Sequence, residues 1–236
     1  MSRHTSPPGA TYDADCRACQ RLATFLDKVK AANPVYFCKP VPPFGDDQAW
    51  LLIVGLAPGM HGANASGRPF TGDYAGILLY QTLFDFGFAT APQSISADDG
   101  LQLKDCRLTN AVKCLPPDNK PTPAEAKRCG RYLVNELRTL PPGGAVLALG
   151  RIAHESVLRV LEAKASLYPF GHGAVHKIPA AAGNKPVALF DSYHCSRYNT
   201  NTKRLTPQMF ADVFEKLRAY RGDRGAPVGA GSDGRG

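Results

Sequence analysis

The stretch Trp50-Leu51-Leu52-Ile53-Val54-Gly55-Leu56, running directly into Ala57-Pro58-Gly59, decides how this chain is read. It is an unbroken apolar run of strand length, the pattern of a strand covered on both faces. It opens without a spacer into a loop of small residues. The same alternation of elements recurs outward from it. Residues 74–88 read as a buried helix and residues 107–112 as a short strand. Thr122, Pro123 and Glu125 supply the N-cap, first-turn proline and capping-box acid of a helix that runs to about Leu140 and stops at Pro141-Pro142-Gly143-Gly144. A strand at 145–149, a helix at 152–163 and a strand at 187–190 follow. Thr206-Pro207 opens a last helix that turns Phe210, Val213, Phe214 and Leu217 inward. On the N-terminal side, residues 21–32 place Leu22, Phe25, Leu26 and Val29 on one helical face. Strands alternating with helices predict an α/β fold, a mostly parallel sheet sandwiched by helices.

The 236 residues predict one domain, and 44% hydrophobic content excludes wholesale disorder. We expect a disordered N-terminus at 1–13, one domain over 14–220 and a flexible Gly- and Arg-rich tail at 221–236. The 28 Lys and Arg against 20 Asp and Glu leave a net charge of +8, which favours an anionic partner such as nucleic acid. No apolar run approaches the roughly 20 residues of a spanning helix, and the polar start carries no export signal. A monomer in the cytoplasm, or another reducing interior, is the expectation, with no membrane partner. Seven cysteines argue against a closed disulfide framework.

In parallel sheets the ligand lies beyond the carboxyl ends of the strands. The polar loops of this chain fall there, at 57–73, 110–119 and 191–202. In the first, Gly55, Ala57 and Gly59 let backbone approach a ligand closely. Phe70 is either a ring wall or core. Asp73 is a helix N-cap, an acid at the polar end of the slot, or both. Asn110, at a strand end, is either a turn residue or an amide that reads the donor–acceptor edge of a base. His194 lies among hydrogen-bonding side chains as a candidate acid or donor, and Arg197 and Tyr198 suit phosphate contact and wedging in DNA. His154, His172 and His176 read as structural or exposed. Cys16 and Cys19 form a C-x2-C pair, while Cys114 closes a strand and Cys129 lies on the capped helix. Four thiolates so placed suit a tetrahedral metal or a cubane iron–sulfur cluster. The plainer alternative makes Cys114 and Cys129 small core residues. Cys38, Cys106 and Cys195 read as ordinary buried or loop thiols.

Taken together, Gly55–Gly59, the run Gly67-Arg68-Pro69-Phe70-Thr71-Gly72-Asp73, the run Thr109-Asn110-Ala111-Val112-Lys113-Cys114 and the run His194-Cys195-Ser196-Arg197-Tyr198-Asn199-Thr200 resemble the uracil-DNA glycosylase superfamily, most closely family 5, the UDGb type. The resemblance covers residues 14–218. It implies a three-layer α/β/α sandwich and a structural [4Fe–4S] cluster on Cys16, Cys19, Cys114 and Cys129. It also implies a DNA repair enzyme that flips uracil, and deaminated purines such as hypoxanthine, out of DNA and hydrolyses the N-glycosidic bond. Asn110 then matches the residue that reads the flipped base, Phe70 the aromatic that stacks on it, His194 the histidine that supports charge on the leaving base, and Asp73 the family's acid. Two departures stand out. No carboxylate occupies 57–61, where better-known branches carry one, which favours family 5 over family 4. Cys195 replaces the proline that usually follows the motif histidine. The competing readings are a metal-stabilised nucleic-acid-binding module without catalysis, and a zinc or redox enzyme with a small substrate.

Overall fold

The structure, a computed structural model, describes residues 9–180 and 185–225. In chain order the elements are α1 (Gln20–Ala32), β1 (Phe44–Gly45), β2 (Leu51–Gly55), α2 (Ala63–Ser66), α3 (Tyr74–Asp85), β3 (Cys106–Asn110), α4 (Pro123–Thr139), β4 (Ala145–Leu149), α5 (Arg151–Val160), β5 (Val175–Ile178), β6 (Val187–Ser192), α6 (Arg197–Asn201) and α7 (Pro207–Gly225). They form the expected α/β architecture.

The six-stranded sheet has the order β1-β3-β2-β4-β6-β5. Its four central strands are parallel, and the edge strands β1 and β5 run antiparallel. Every residue of β2 is buried. Leu51 and Ile53 share a cluster with Leu79 and Leu83 of α3 and Phe210 and Phe214 of α7. Leu52 and Val54 pack with Leu133 and Leu137 of α4 and Val157 and Leu158 of α5 on the opposite face. Period-2 alternation across a strand thus sends successive side chains into two helical layers, and each such aliphatic side chain gains about 1.5–3 kcal/mol from burial. Because β3 and β4 flank β2 on opposite sides, the sheet reverses direction at β2, and the crevice beyond Gly55 is the topological switch point.

A buried polar cluster ties the β3 end to α4. The Lys113 ammonium donates to Glu136 Oε1 at 2.9 Å and to the Thr109 hydroxyl, which itself donates to the same carboxylate oxygen at 2.9 Å. All three side chains are shielded from solvent, so the pair is neutralised where neither charge has water.

Several boundaries differ from the expectation. β6 extends through Asp191 and Ser192, because both pair with the end of β4. α3 stops at Asp85 rather than Phe88, since Gly87 takes a φ of +78°. The short α2 and α6 fall in stretches expected as loops, and the edge strands have no counterpart in the expectation; β5 has only one buried residue, so it carries no hydrophobic alternation to find. Residues 1–8 and 226–236, most of the expected disordered start and tail, lie outside the described residues. The stretch 221–225 is helical instead of tail. Arg221 holds it, donating to Asp105 Oδ2 at 2.8 Å and lying 5.3 Å over the Trp50 ring. Among the described residues no helix is long and apolar enough to cross a membrane.

The capping box of α4 forms as its residues dictate. The Thr122 amide donates to Glu125 Oε2 at 2.7 Å, and the Glu125 amide donates to the Thr122 hydroxyl at 3.3 Å. Thr122→Ala is expected to cost about 1 kcal/mol, read as a drop of roughly 2–4 °C in Tm by thermal unfolding. An unchanged Tm would show that the cap carries no net stability here.

Candidate active site

The parallel register sets Gly55, the last residue of β2, beside Asn110, the last of β3. A Cβ on Gly55 would stand 2.5 Å from Asn110 Oδ1 and 2.6 Å from Phe70 Cζ. Only glycine fits, and the amide and the ring therefore meet over the same backbone atom. Phe70 itself has a φ of +59°, unusual for an aromatic residue. A Cβ on Gly76 would lie 2.0 Å from the Phe70 carbonyl, so α3 abuts the Phe70 turn with no room to spare. Strained backbone held by such packing is typical of functional sites.

Asp73 precedes α3 in the N-cap position, yet its side chain makes no capping bond to that helix. Instead Oδ2 accepts the Ala63 amide at 3.0 Å. Oδ1 would stand 2.2 Å from a Cβ on Gly59 and 2.0 Å from one on Gly62. The glycines of the first loop thus make room for a carboxylate. Burial raises the Asp73 carboxyl above its ordinary range, opposed by the Ala63 amide.

His194 leaves the end of β6. Its ring centroid lies 6.5 Å from that of Phe70, and its carbonyl accepts the Asn199 side-chain Nδ2–H at 2.8 Å. Part of the residue faces the cavity, while the dense protein around the ring lowers its pKa to about 4. The imidazole is therefore neutral near pH 7 and able to donate a hydrogen bond. Ser196 caps α6, and the exposed Arg197 sits 5.0 Å over the Tyr74 ring, with Tyr198 beside it and 69% exposed.

Ala57, Gly59, Phe70, Asp73, His194 and Arg197 all line one cavity of about 410 Å³, within the usual range of small-ligand sites, roughly 300–1,000 Å³. Gly55 and Asn110 do not line it; they lie behind Phe70. Asn119, which sequence reasoning did not single out, does line it. Asp118 and Asn119 both have positive φ, 54° and 55°. The Pro116-Pro117-Asp118-Asn119 run was the available signal, since Asn tolerates the left-handed region in turns.

Cys16, Cys19, Cys114 and Cys129 line a second, separate cavity with Arg128 and Arg131 at its rim. The Lys113 amide donates to Cys129 Sγ at 3.3 Å, and the Arg131 guanidinium donates to Cys16 Sγ at 3.2 Å. Burial pushes the Cys129 thiol up to about 11 and raises Cys114 and Cys19 as well. Cys38, Cys106 and Cys195 are buried elsewhere, and all seven cysteines are free of disulfides.

The histidines read as structural or exposed divide. His172 stacks on Tyr193 with ring centroids 5.0 Å apart. His154 is buried and bonds Asp191 at 2.7 Å, with His176 nearby.

A family profile described as "Uracil DNA glycosylase superfamily" matches residues 42–218. A protein named type-5 uracil-DNA glycosylase from Thermus thermophilus is 43% identical over 212 residues, covering 88% of this chain and 94% of its own. One of the same name from Mycobacterium tuberculosis is 40% identical over 215 residues, 88% of this chain and 78% of its own. A type-4 uracil-DNA glycosylase from Archaeoglobus fulgidus is 32% identical over 155 residues, 65% of this chain and 69% of its own. The matched span contains every loop that builds the first cavity, and by that match the chain belongs to the uracil DNA glycosylase superfamily.

Proposed function

We propose that this chain is a DNA repair glycosylase that hydrolyses the N-glycosidic bond of uracil, and of deaminated purines such as hypoxanthine, after flipping the nucleotide out of DNA. The carrying observation is the convergence of Asp73, Phe70 and His194 on one cavity at the carboxyl edge of the sheet. A stacked base cannot be reached, and extruding it costs a few kcal/mol. The surplus positive charge, Arg197 and the glycine-loop amides offset that cost through phosphate, with the exposed Tyr198 suited to fill the space left in the stack. Phe70 fixes the ring plane, and Asn110, packed behind it over Gly55, supports that ring.

When the C1′–N bond breaks, its electron pair moves onto the base and cationic character develops on the sugar. Water adds at C1′, and the proton it loses ends on the departing base or in solvent. A neutral His194 supplies a hydrogen bond to the base oxygen where negative charge develops. The Asp73 carboxylate orients the water and stabilises the sugar cation.

A [4Fe–4S] cluster on Cys16, Cys19, Cys114 and Cys129 belongs to the same reading. The residues fit the group: four thiols face one cavity, and two N–H donors already point at sulfur. Bound there, the cluster supplies a covalent tie between the N-terminal segment, the β3 end and α4. A monomer in a reducing cytoplasm, where such thiols stay free, belongs to the same proposal.

The deciding experiment treats oligonucleotides carrying uracil, hypoxanthine or xanthine, single- and double-stranded, with the protein and reads alkali-labile cleavage. Cleavage at uracil is expected. Binding without cleavage at any base would favour the non-catalytic module. In single-turnover assays His194→Ala is expected to lower excision roughly 100-fold, and Asp73→Asn strongly, with DNA binding kept; equal losses of binding would move both out of the chemistry.

The pH profile follows from the two shifts. Asp73 acts as carboxylate, and its raised pKa means that excision falls as pH falls while still above the usual carboxylate range. His194, lowered to about 4, adds no limb between pH 5 and 8. A limb near pH 6.5 that disappears in His194→Ala would contradict this assignment. Cys16→Ser is expected to lower iron content and folded yield; an iron-replete, active variant would remove Cys16 from the ligand set.

A further inference from the structure

We propose that His154 is a positioning residue for His194: paired with Asp191, it clamps the start of α5 to the end of β6 and so fixes the backbone from which His194 projects. The inference rests on the catalytic reading of His194 but goes beyond it.

Both side chains of the pair are essentially without solvent contact. His154 Nδ1 lies 2.7 Å from Asp191 Oδ1, and Nε2 lies 2.9 Å from the Tyr168 carbonyl. Both ring nitrogens thus face oxygen atoms of other elements, one on β6 and one on the loop after α5. The Gly171 amide donates to Asp191 Oδ2 at 3.4 Å, and His176 Nε2 lies 3.4 Å from the same oxygen without a hydrogen bond to it. The backbone of Asp191 is held too. Its carbonyl accepts the Gly173 amide at 2.8 Å, and its amide donates to Ala174 at 3.0 Å. One buried carboxylate therefore gathers α5, the loop 168–171 and the approach to β5.

Two short paths lead from this pair to His194. One is covalent, through Ser192 and Tyr193. The other crosses the sheet edge. The His154 amide donates to the Gly150 carbonyl at 3.1 Å, closing the first turn of α5, and the Gly150 amide donates to the Ser192 carbonyl at 2.8 Å. A Cβ on Gly150 would stand 3.5 Å from His194 Cβ, so the α5 start leaves room for only one carbon between itself and that side chain. Among the described residues no group hydrogen-bonds the His194 imidazole itself. Its aim depends on the backbone beneath it, and that backbone is what the pair holds.

The same cluster has donors from His154, His176 and Asp191 all within 4.8 Å, which raises the question of a metal. Two ligands of a tetrahedral zinc with bonds of about 2.0–2.1 Å stand roughly 3.3 Å apart. The Nδ1–Oδ1 separation of 2.7 Å is that of a hydrogen bond, so a proton fits between these atoms and a zinc ion does not.

His154→Ala alone strands a buried carboxylate and invites unfolding. The informative variant is His154→Gln with Asp191→Asn, which replaces both partners together by neutral amides. In the full-length, iron-replete protein it is expected to melt cooperatively and to bind a uracil-containing oligonucleotide within twofold of wild type. Single-turnover excision is expected to fall roughly 10- to 100-fold, the scale of a displaced catalytic group. The His194 ring resonances in ¹H–¹⁵N spectra of histidine-labelled protein are expected to shift or broaden. An excision rate within twofold of wild type together with unmoved His194 resonances would overturn the proposal. Moved resonances with an unchanged rate would uphold the clamp and overturn the catalytic reading of His194. One zinc per wild-type chain, lost in the double variant, would make the three residues ligands and overturn the clamp.

Discussion

The pairing of β2 with β3 on one side and β4 on the other is the constraint on which the rest of this molecule depends. All five residues of β2 are buried, so its backbone groups can be satisfied only by neighbouring strands. Both neighbours are parallel, which requires long crossovers and puts helices on each face. It also brings the ends of β2, β3, β4 and β6 to one edge. Everything with chemical character then follows from what each strand emits at that edge: a glycine loop, an asparagine, a glycine-capped helix and a histidine loop.

Small residues at this edge work as space rather than as hinges. Gly55 leaves room for Asn110 and Phe70, and Gly59 and Gly62 leave room for the Asp73 carboxylate. The start of the first loop, 57–61, has no acid, and the carboxylate that enters its space is Asp73, ten residues beyond the helix start it bonds, Ala63. Burial then drives the two titratable groups in opposite senses, Asp73 up and His194 down. Both shifts weaken the charged form, and they leave a neutral donor and a costly carboxylate on one cavity. Opposed environments of this kind sort acid, base and donor roles within an active site.

Two hydrogen-bonded pairs of buried side chains join elements distant in sequence. Lys113 with Glu136 locks the β3 end to α4, next to two of the cysteines. His154 with Asp191 locks α5 to β6, next to His194. Buried pairs contribute little net stability, because desolvation offsets their attraction. Their value here lies in geometry: a hydrogen-bonded pair without water tolerates one arrangement of its two elements.

The amino-acid sequence by itself determined the central elements. The apolar run of β2, the capping box of α4 and the inward face of α7 depend on residues within a few positions of one another, and all three lie where periodicity and capping placed them. The order of the motifs likewise sufficed to recognise the family. Only the tertiary structure decided the rest. It turned Asp73 away from its own helix, set Asn110 behind Phe70 rather than on the cavity wall, brought Asn119 to that wall, and buried His154 against Asp191. Those outcomes depend on contacts between residues ten to more than thirty positions apart, fixed by sheet register and packing, and no local pattern of side chains encodes a distance of that kind.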